Sequence, residues 1–138
     1  MTTQILSRLE LLIACEDDVV LVRRKVRALV QTRGFDAFAV AAVTTATSEI
    51  TRNVWVHAGK GVALVEELTD GVRFGIRLEF RDEGPGIADI ARVLVGGHST
   101  ARSLGLGVSG SKRLVDDFAI ESTVGRGTVV RMTKWARF

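Results

Sequence analysis

Apolar residues recur at helical spacing in two stretches of the first half of the chain. In the first stretch the spacing is carried by Val19, Val22, Val26, Leu29 and Val30, and in the second by Val40, Val43, Thr47, Ile50 and Val54. Acidic residues 16–18 precede the first stretch, where the helix dipole favours negative charge, and Gly34 follows it as an end signal. The pattern therefore predicts two successive amphipathic helices, the second beginning near Asp36 and ending at Gly59.

Other stretches have the shorter apolar pattern that is typical of strands. Asp70-Gly71 separates two of them and predicts an antiparallel hairpin, while the turn 125–127 separates the last two. The first strand is expected at an edge of its sheet. The predicted strands are Ile5–Ala14, Val62–Leu68, Val72–Phe80, Ala119–Val124 and Thr128–Trp135.

Between the two pairs of strands we predict a short helix at Ala88–Val95, a loop at Gly96–Gly107 and a helix at Val108–Phe118. The whole order lacks the regular strand–helix alternation of a doubly wound sheet. It predicts an α+β sandwich, in which a mixed or antiparallel sheet carries its helices on one face. One domain of this kind would span residues 1–138.

Composition fits this picture. The 138 residues are 46% hydrophobic and 25% charged, which is ordinary for a globular domain. The sequence has neither an apolar run that could cross a bilayer nor a signal-peptide pattern, so we expect a cytoplasmic protein without a membrane partner. The only cysteine, Cys15, is expected in the core. The net charge of +3 includes a basic cluster at residues 23–27, which we interpret as a solvated helix face rather than a nucleic-acid site.

Three polar residues stand one turn apart on the second predicted helix. Glu49, Asn53 and His57 follow at i, i+4 and i+8 and form a line beside the apolar stripe. An amide oxygen can coordinate a hard cation such as Mg²⁺, and a carboxylate can orient or deprotonate a hydroxyl group. The alternative is an ordinary solvated face, and His57 has no assigned role.

A tight turn follows the third predicted strand. In the segment Asp82–Ile87 two glycines, Gly84 and Gly86, flank a proline. Because glycine has no Cβ atom, a flat ligand can approach this backbone, and Asp82 can accept a hydrogen bond from an exocyclic amine. The alternative is a simple turn.

A second glycine pair, Gly105-Leu106-Gly107, follows the polar loop that contains Ser99 and Thr100. It opens a predicted helix, whose first amides attract phosphate. With Gly110 the pair also matches the dinucleotide-binding pattern. We reject that interpretation, because neither a preceding strand nor a βαβ unit is predicted here.

Taken together, these segments resemble the boxes of the GHKL ATPase and kinase superfamily. Glu49-x-x-x-Asn53 is similar to its N box, Asp82-x-Gly84-x-Gly86 to its first glycine box, Gly105-x-Gly107 to its second, and Gly127-Thr128 to its last adenine-side motif. The resemblance covers residues 40–130. It implies a Bergerat fold, ATP and Mg²⁺ as cofactors, and an ATP lid at residues 97–106.

The resemblance also implies roles for individual residues. Glu49 would be the general base and Asn53 the magnesium ligand, while Asp82 would bind the adenine amine with the help of Thr128. The nucleotide-binding set would be completed by Gly84, Gly86, Ile87, Ser99, Thr100, Gly105, Leu106 and Gly107.

Within the superfamily, the chain resembles the bacterial anti-sigma-factor-type serine/threonine kinases. The strings at residues 48–53, 58–61 and 133–135 look most like their stressosome switch kinases. That implies phosphorylation of a serine or threonine in a STAS-domain scaffold or antagonist, with a PP2C-type phosphatase or a sigma factor as further candidate partners. Three alternatives stay open: a kinase that sequesters a sigma factor, a non-catalytic ATP-gated binding module and, last, a nucleic-acid or structural role. A homodimer also stays open.

Overall fold

The protein is described by a computed structural model that covers residues 2–87 and 103–137, with the backbone alone for residues 103–107. Its elements are β1 Gln4–Ile13, α1 Glu16–Thr32, α2 Ala37–Ala58, β2 Gly61–Thr69, β3 Phe74–Asp82, α3 Ser103–Leu114, β4 Asp117–Thr123 and β5 Gly127–Trp135. In the part described, no helix is long and apolar enough to cross a membrane.

The described strands form one five-stranded sheet in the order β1-β2-β3-β5-β4. All four pairings are antiparallel, so the sheet is antiparallel rather than mixed. The predicted α+β sandwich is confirmed, as is the edge position of β1. The β2–β3 hairpin is also confirmed, although its connection takes four residues. Asp70 stabilises that connection by accepting hydrogen bonds from the amides of Val72 and Arg73.

Successive strand residues point to opposite sides of the sheet, and the helices cover one of these two faces. The register places apolar residues of neighbouring strands side by side on this face, as in the row Ala63, Phe80 and Val130. The adjacent row contains Val65, Leu78 and Met132. All six are buried, and they form the core together with the inner faces of the helices.

Both predicted helical stripes are buried, except for Leu29, which is half-buried. The buried positions include Thr47, whose hydroxyl donates to the carbonyl of Val43. α2 begins where predicted, since the Asp36 side chain accepts from the amide of Ala39. It ends at Gly59, which has a left-handed backbone. α2 therefore runs without a break beneath the sheet and carries its polar residues to the edge where β3 ends.

Two predictions about local structure are wrong. The loop predicted up to Gly107 ends earlier, because α3 begins at Ser103, and the helix stops at Leu114, so Phe118 lies in β4. Cys15 is exposed at the start of α1 rather than buried in the core. The predicted helix at residues 88–95 lies outside the described residues.

Two consecutive buried glutamates on β2 connect both sides of the sheet to arginines. On the open face Glu66 accepts from Arg8 of β1 and from Arg77 of β3. On the helical face Glu67 accepts from Arg33, which follows α1, and from Ser7 of β1. These contacts fix the register of β1 against β2, because a slip of β1 by one residue would place Arg8 and Ser7 on the face opposite the carboxylate that each contacts.

Candidate functional site

The line of polar residues on α2 lies where the helix meets the end of β3. Asn53 is buried, Glu49 is half-buried one turn before it, and His57 is exposed one turn after it. The prediction that the line lies beside the apolar stripe is therefore wrong for Asn53. This side chain shares the buried face with Ile50 and Val54.

The carboxamide of Asn53 has no hydrogen-bond partner in the described structure, at either Oδ1 or Nδ2. Desolvating a polar group without a partner costs about 1–3 kcal/mol. Such an arrangement is common where a ligand completes the bonding, and an amide oxygen is a suitable ligand for Mg²⁺. The residues present therefore fit a site for a hard cation or a polar ligand at Asn53.

Asp82 ends β3 opposite Asn53, with its carboxylate half-buried. Burial raises the pKa of Asp82 above its ordinary value of 3.8, although the amides of Gly84 and Thr128 and the nearby His57 act in the opposite direction. The Gly84 amide donates to Asp82 Oδ1 at 2.9 Å. Asp82 is thus a positioned acceptor in a partly apolar setting, which strengthens a hydrogen bond to a donor ligand.

The turn after Asp82 packs against the β4–β5 connection at backbone distance. Gly86 has a φ of +78°, and a Cβ atom there would lie 2.4 Å from the carbonyl oxygen of Thr123. A Cβ atom on Gly127 would lie 2.0 Å from the carbonyl oxygen of Asp82. Only glycine fits these two positions, so the residue type follows from backbone packing as well as from any ligand.

A hydroxyl pair connects this turn to the last two strands. Ser122 Oγ accepts from the amide of Ile87 at 2.7 Å and lies 3.0 Å from the carbonyl oxygen of Gly127 and 2.8 Å from Thr128 Oγ1. A hydroxyl group has one proton, so if Ser122 donates to Gly127, Thr128 donates to Ser122. The lone pairs of Thr128 are then available to accept a bond from a ligand or water.

These residues surround one cavity of about 90 Å³ between α2 and the sheet. The cavity is small beside the roughly 300–1,000 Å³ of most ligand pockets, so the described residues enclose only part of a nucleotide-sized ligand. Its lining consists of Ile50, Asn53, Val54, His57, Phe80, Asp82, Pro85, Gly86, Ile87, Val108, Ile120, Thr128 and Val130.

The structure brings together Asn53, Asp82, Gly86, Ile87 and Thr128 from the predicted set. Gly84 does not line the cavity but packs closely against α2, since a Cβ atom there would lie 2.6 Å from the Cβ atom of Ala58. Glu49 lies one turn outside the cavity lining.

The second glycine box is only partly described. Ser99 and Thr100 lie outside the described residues. Gly105, Leu106 and Gly107 lie within the first turns of α3, rather than in a loop before it. Their proposed phosphate contacts therefore remain a prediction.

The apolar walls of the cavity and the Ser122 hydroxyl on β4 were not predicted from the sequence. Ile120 and Val130 are register partners at one end of the cavity, and Ser122 and Thr128 are the next pair on the same face. The alternation of β4 could have placed Ile120 and Ser122 on one face. It could not have shown that this face meets Asp82.

The arrangement can hold a flat polar group between apolar walls. Asp82 and Thr128 would act as acceptors at one end, and Asn53 can contact charged or metal-bound groups near the mouth. A planar heterocycle with an exocyclic amine satisfies these features, and any charged extension would have to lie outside the cavity.

Known proteins that resemble this chain include ATP-dependent kinases. Residues 13–134 match the family model described as histidine kinase-like ATPase domain. The chain is 40% identical over 125 residues to the serine/threonine-protein kinase RsbT of Bacillus subtilis (strain 168), which covers 91% of this chain and 94% of that protein. It is 32% identical over 102 residues to the anti-sigma F factor of Thermoanaerobacter sp. (strain X514), covering 70% of each.

Solved structures show the same fold at lower sequence identity. The structure of the RsbU and RsbW domains of Rv1364c from Mycobacterium tuberculosis matches with a TM-score of 0.66 at 21% identity, over 96% of this chain and 33% of that one. The SiaB–SiaC complex from Pseudomonas aeruginosa matches with a TM-score of 0.60 at 13% identity, over 94% and 90%. The four ordered motifs and these similarities point to one family.

Proposed function

The chain belongs to the histidine kinase-like ATPase family, and from this premise we propose that it is a serine/threonine-protein kinase that uses Mg-ATP to phosphorylate a STAS-domain protein. The observation that carries the proposal is the meeting of the unpartnered Asn53 carboxamide and the half-buried Asp82 carboxylate at one cavity. The similarity to RsbT over almost the full length of both chains supports the protein-kinase activity.

Asp82 and Thr128 form the base-binding end in this proposal. The carboxylate accepts a hydrogen bond from the exocyclic amine of adenine, and the Thr128 hydroxyl assists through water. Apolar side chains on both sides of the cavity, among them Ile50 and Ile120, exclude other water from the ring.

The phosphates would extend beyond the cavity, toward α3. Asn53 would hold Mg²⁺, which would supply charge neutralisation for the phosphate oxygens. Because α3 begins at Ser103, the amide of Gly105 lies in its first turn and can donate to phosphate there, whereas the amides of Leu106 and Gly107 bond within the helix. Most of the catalysis in such a site comes from positioning and charge neutralisation.

Glu49 is the proposed base. Its carboxylate is half-buried one turn from Asn53, and among the described residues it has no hydrogen-bond or ion-pair partner. The partner's serine or threonine oxygen forms a bond to the γ-phosphorus as the bond from that phosphorus to the ADP oxygen breaks. The hydroxyl proton passes to Glu49, so ADP and a phosphorylated partner are the products.

The proposal is tested by measuring phosphate transfer and nucleotide binding separately. With labelled ATP and a purified STAS-domain protein, Glu49→Gln should lower transfer by at least about 100-fold with near-normal ATP affinity, as expected for a lost general base. Asp82→Asn should instead weaken ATP binding by roughly 10- to 100-fold, as expected when a hydrogen bond to a charged acceptor is lost.

Glu83→Gln is the matched control, because Glu83 is an exposed carboxylate next to Asp82 with no proposed role. It should retain both transfer and binding. If Glu49→Gln lost binding and transfer equally, Glu49 would not be the base. Unchanged ATP affinity in Asp82→Asn would contradict the proposed adenine contact.

An anti-sigma factor kinase is the second candidate, favoured by the similarity to the anti-sigma F factor. Its nucleotide site would be the same and its partner different. Capture experiments with a purified sigma factor and a purified STAS-domain protein separate the two. A third candidate, an ATP-gated binding module, requires nucleotide-dependent partner binding without any phosphate transfer.

We further propose a cytoplasmic place in a stress-signalling pathway that works by partner switching, as in a stressosome. After phosphorylating its STAS partner, the kinase would be free to bind a PP2C-type phosphatase. Its affinity for the unphosphorylated and phosphorylated forms of the partner, measured side by side, tests this step. Equal affinities would contradict the switch.

A further inference from the structure

A groove runs along the outer surface of the helical layer, between the end of α1 and the start of α2. Its volume is about 400 Å³, which is larger than the cavity of about 90 Å³ beside Asp82. None of the residues that line the groove belongs to the proposed nucleotide site, so the groove is a separate feature of the molecule. Those used below are Arg27 and Gln31 of α1, Phe35 of the connection, and Ala41, Thr44 and Thr45 of α2.

The α2 wall of the groove combines small side chains with one large apolar side chain. Ala41 and Thr45 stand one turn apart and are exposed, and Phe38, three residues before Ala41, lies on the same side of the helix. Phe38 is 83% exposed, more than any other large apolar side chain in the described part of the chain. The small residues let a partner approach α2 closely, and the phenylalanine offers it an aromatic anchor.

The α1 wall of the groove is cationic. Arg27 lines the groove, and Arg23 and Arg24 precede it by about one turn on the same side of α1. Across the described residues none of these three arginines forms an ion pair. No acidic side chain is among the described residues that line the groove. The positive charge of this wall is therefore uncompensated, and it complements a negatively charged partner.

Thr44 adds an unsatisfied polar group to the α2 wall. Its hydroxyl oxygen is buried and has no hydrogen-bond partner within the described structure, whereas Thr47 and Thr51 each donate to a carbonyl one turn earlier. A threonine in a helix has two accessible χ1 rotamers, so this hydroxyl can turn toward the groove. There it can bond to a polar side chain of an occupant.

The shape of the groove favours a helix over a strand or a flat surface. Both walls are helices whose backbone groups are already bonded, so an added strand would find no backbone partners there. From Ala37 to Thr45 the α2 wall is about 12 Å long, which is the length of two turns of a helix. A membrane surface could contact the rims of the groove but would not enter it.

We propose that this groove is a docking site for an acidic amphipathic helix of a partner protein. Apolar side chains on one side of that helix pack on Phe38, on Ala41 and on Phe35 at the floor of the groove. Its carboxylates pair with Arg27 and Arg24. Because none of these residues lines the nucleotide cavity, the interaction is independent of the proposed kinase activity.

The first test compares two synthetic peptides on the unaltered full chain. Each peptide has about 15 residues with leucines along one side, and an internal cross-link keeps it helical, since isolated helices of this length are marginal in water. One carries glutamates beside the leucines and the other carries lysines. Fluorescence anisotropy should show that the glutamate peptide binds and that salt weakens its binding. The lysine peptide should bind at least about tenfold more weakly.

The second test locates the glutamate peptide on the protein. Arg27→Glu should weaken its binding by more than about tenfold. Lys25→Glu is the matched control, because it makes the same charge reversal on nearly the opposite side of α1, and its effect should be much smaller. Ala41→Trp should block binding, because the indole fills the groove beside Thr45. Val72→Trp, at an exposed position in the β2–β3 connection, should not. Thermal unfolding of each variant checks that it is folded.

Absence of peptide binding, or equal affinity for the two peptides, would overturn the proposal. So would equal effects of Arg27→Glu and Lys25→Glu, or normal binding by a folded Ala41→Trp variant. The peptide comparison uses the unaltered chain, so it remains decisive even if a variant fails to fold.

Two further measurements separate this proposal from its neighbours. Sedimentation with phosphatidylserine vesicles tests a membrane role, and vesicle binding that depends on Arg27, without peptide binding, would show that the proposal is wrong. Asp82→Asn should leave the affinity for the glutamate peptide unchanged, since Asp82 does not line the groove. Failure of the docking site and failure of the proposed kinase activity are thus distinguishable.

Discussion

At the scale of the residue, Asn53 shows that a side chain suited to a ligand can be unfavourable for the fold. Its carboxamide is buried among apolar neighbours without a partner. Two other polar residues on the same buried face of α2, Thr47 and Thr51, are satisfied, because each hydroxyl donates to a carbonyl one turn earlier. The helix backbone therefore satisfies these two hydroxyl groups, whereas the Asn53 carboxamide has no partner there.

We expect Asn53→Leu to stabilise the nucleotide-free protein and to abolish binding of Mg-ATP. Removing an unsatisfied buried polar group should raise the free energy of unfolding by about 1–3 kcal/mol. Thr47→Val is the control, since it removes a satisfied hydroxyl and should bring no gain. Chemical denaturation without nucleotide measures the first effect and calorimetric titration the second. A destabilised Asn53→Leu variant would show that the carboxamide is satisfied in the free protein.

At the scale of the element, local pattern predicted α1 and α2 well and α3 poorly. The prediction of α2 rested on apolar spacing over four turns rather than on any single residue. Asp36 and Gly59 mark the ends of the helix. In α3 the glycines at positions 105 and 107 indicated a loop, although packing against α2 makes the segment helical. Tertiary contacts overrode the intrinsic propensity there.

The glycine content of α3 leads to a prediction for Gly110. A Cβ atom at this position would meet no other atom within 4 Å, and the backbone is helical. Gly110→Ala should therefore raise the free energy of unfolding by about 0.5–1 kcal/mol, because alanine loses less backbone entropy on folding.

Gly125→Ala is the matched control for that substitution. Its site is equally open, but its φ of +81° is left-handed. The change should lower the free energy of unfolding by roughly 1–2 kcal/mol. Denaturant melts of both variants provide the measurement, and shifts of the same sign would contradict the explanation.

At the scale of the whole molecule, ion pairs on both faces of β2 hold the sheet and α1 together. Burial alone would raise the pKa of Glu66, but hydrogen bonds and charge from Arg77 and Arg8 outweigh it, so the pKa lies below its ordinary value of 4.5. The pKa of Glu67 is lowered in the same way by Arg33 and Ser7. Each carboxylate therefore adds stability above pH 4.5, and this stability is lost as the pH falls through the folded-state pKa.

We expect Glu66→Gln to lower the free energy of unfolding at pH 7 by roughly 1.5–3 kcal/mol, the contribution of a hydrogen bond between charged groups. The difference from the wild type should shrink as the pH falls below 4.5, because the wild-type carboxyl then becomes neutral as well. Glu121→Gln, whose side chain is 72% exposed, should have little effect at any pH. Thermal melts from neutral to acid pH test this, and a pH-independent difference would contradict it.

The sequence could reveal the class of the fold and most of the cavity's polar residues, since these depend on local spacing and on short motifs. It could not reveal the burial of Asn53, which lies at the border of its helical stripe. Nor could it reveal that Ser122, which belongs to no motif, hydrogen-bonds to Ile87 and Thr128 beside the cavity. Both depend on which strands become neighbours. That order is set by the sum of many contacts rather than by any one segment.

The position of β5 has a consequence for how the protein is made. β5 is the last described strand along the chain, yet it lies between β3 and β4 in the sheet. Until β5 has been synthesised, the edge of β3 that pairs with it in the finished sheet is unpaired. A growing chain with such an edge is prone to aggregation. Thr128 and Val130 reach the cavity only with this strand. Nucleotide binding should thus appear only after β5 has been synthesised and has paired with β3 and β4.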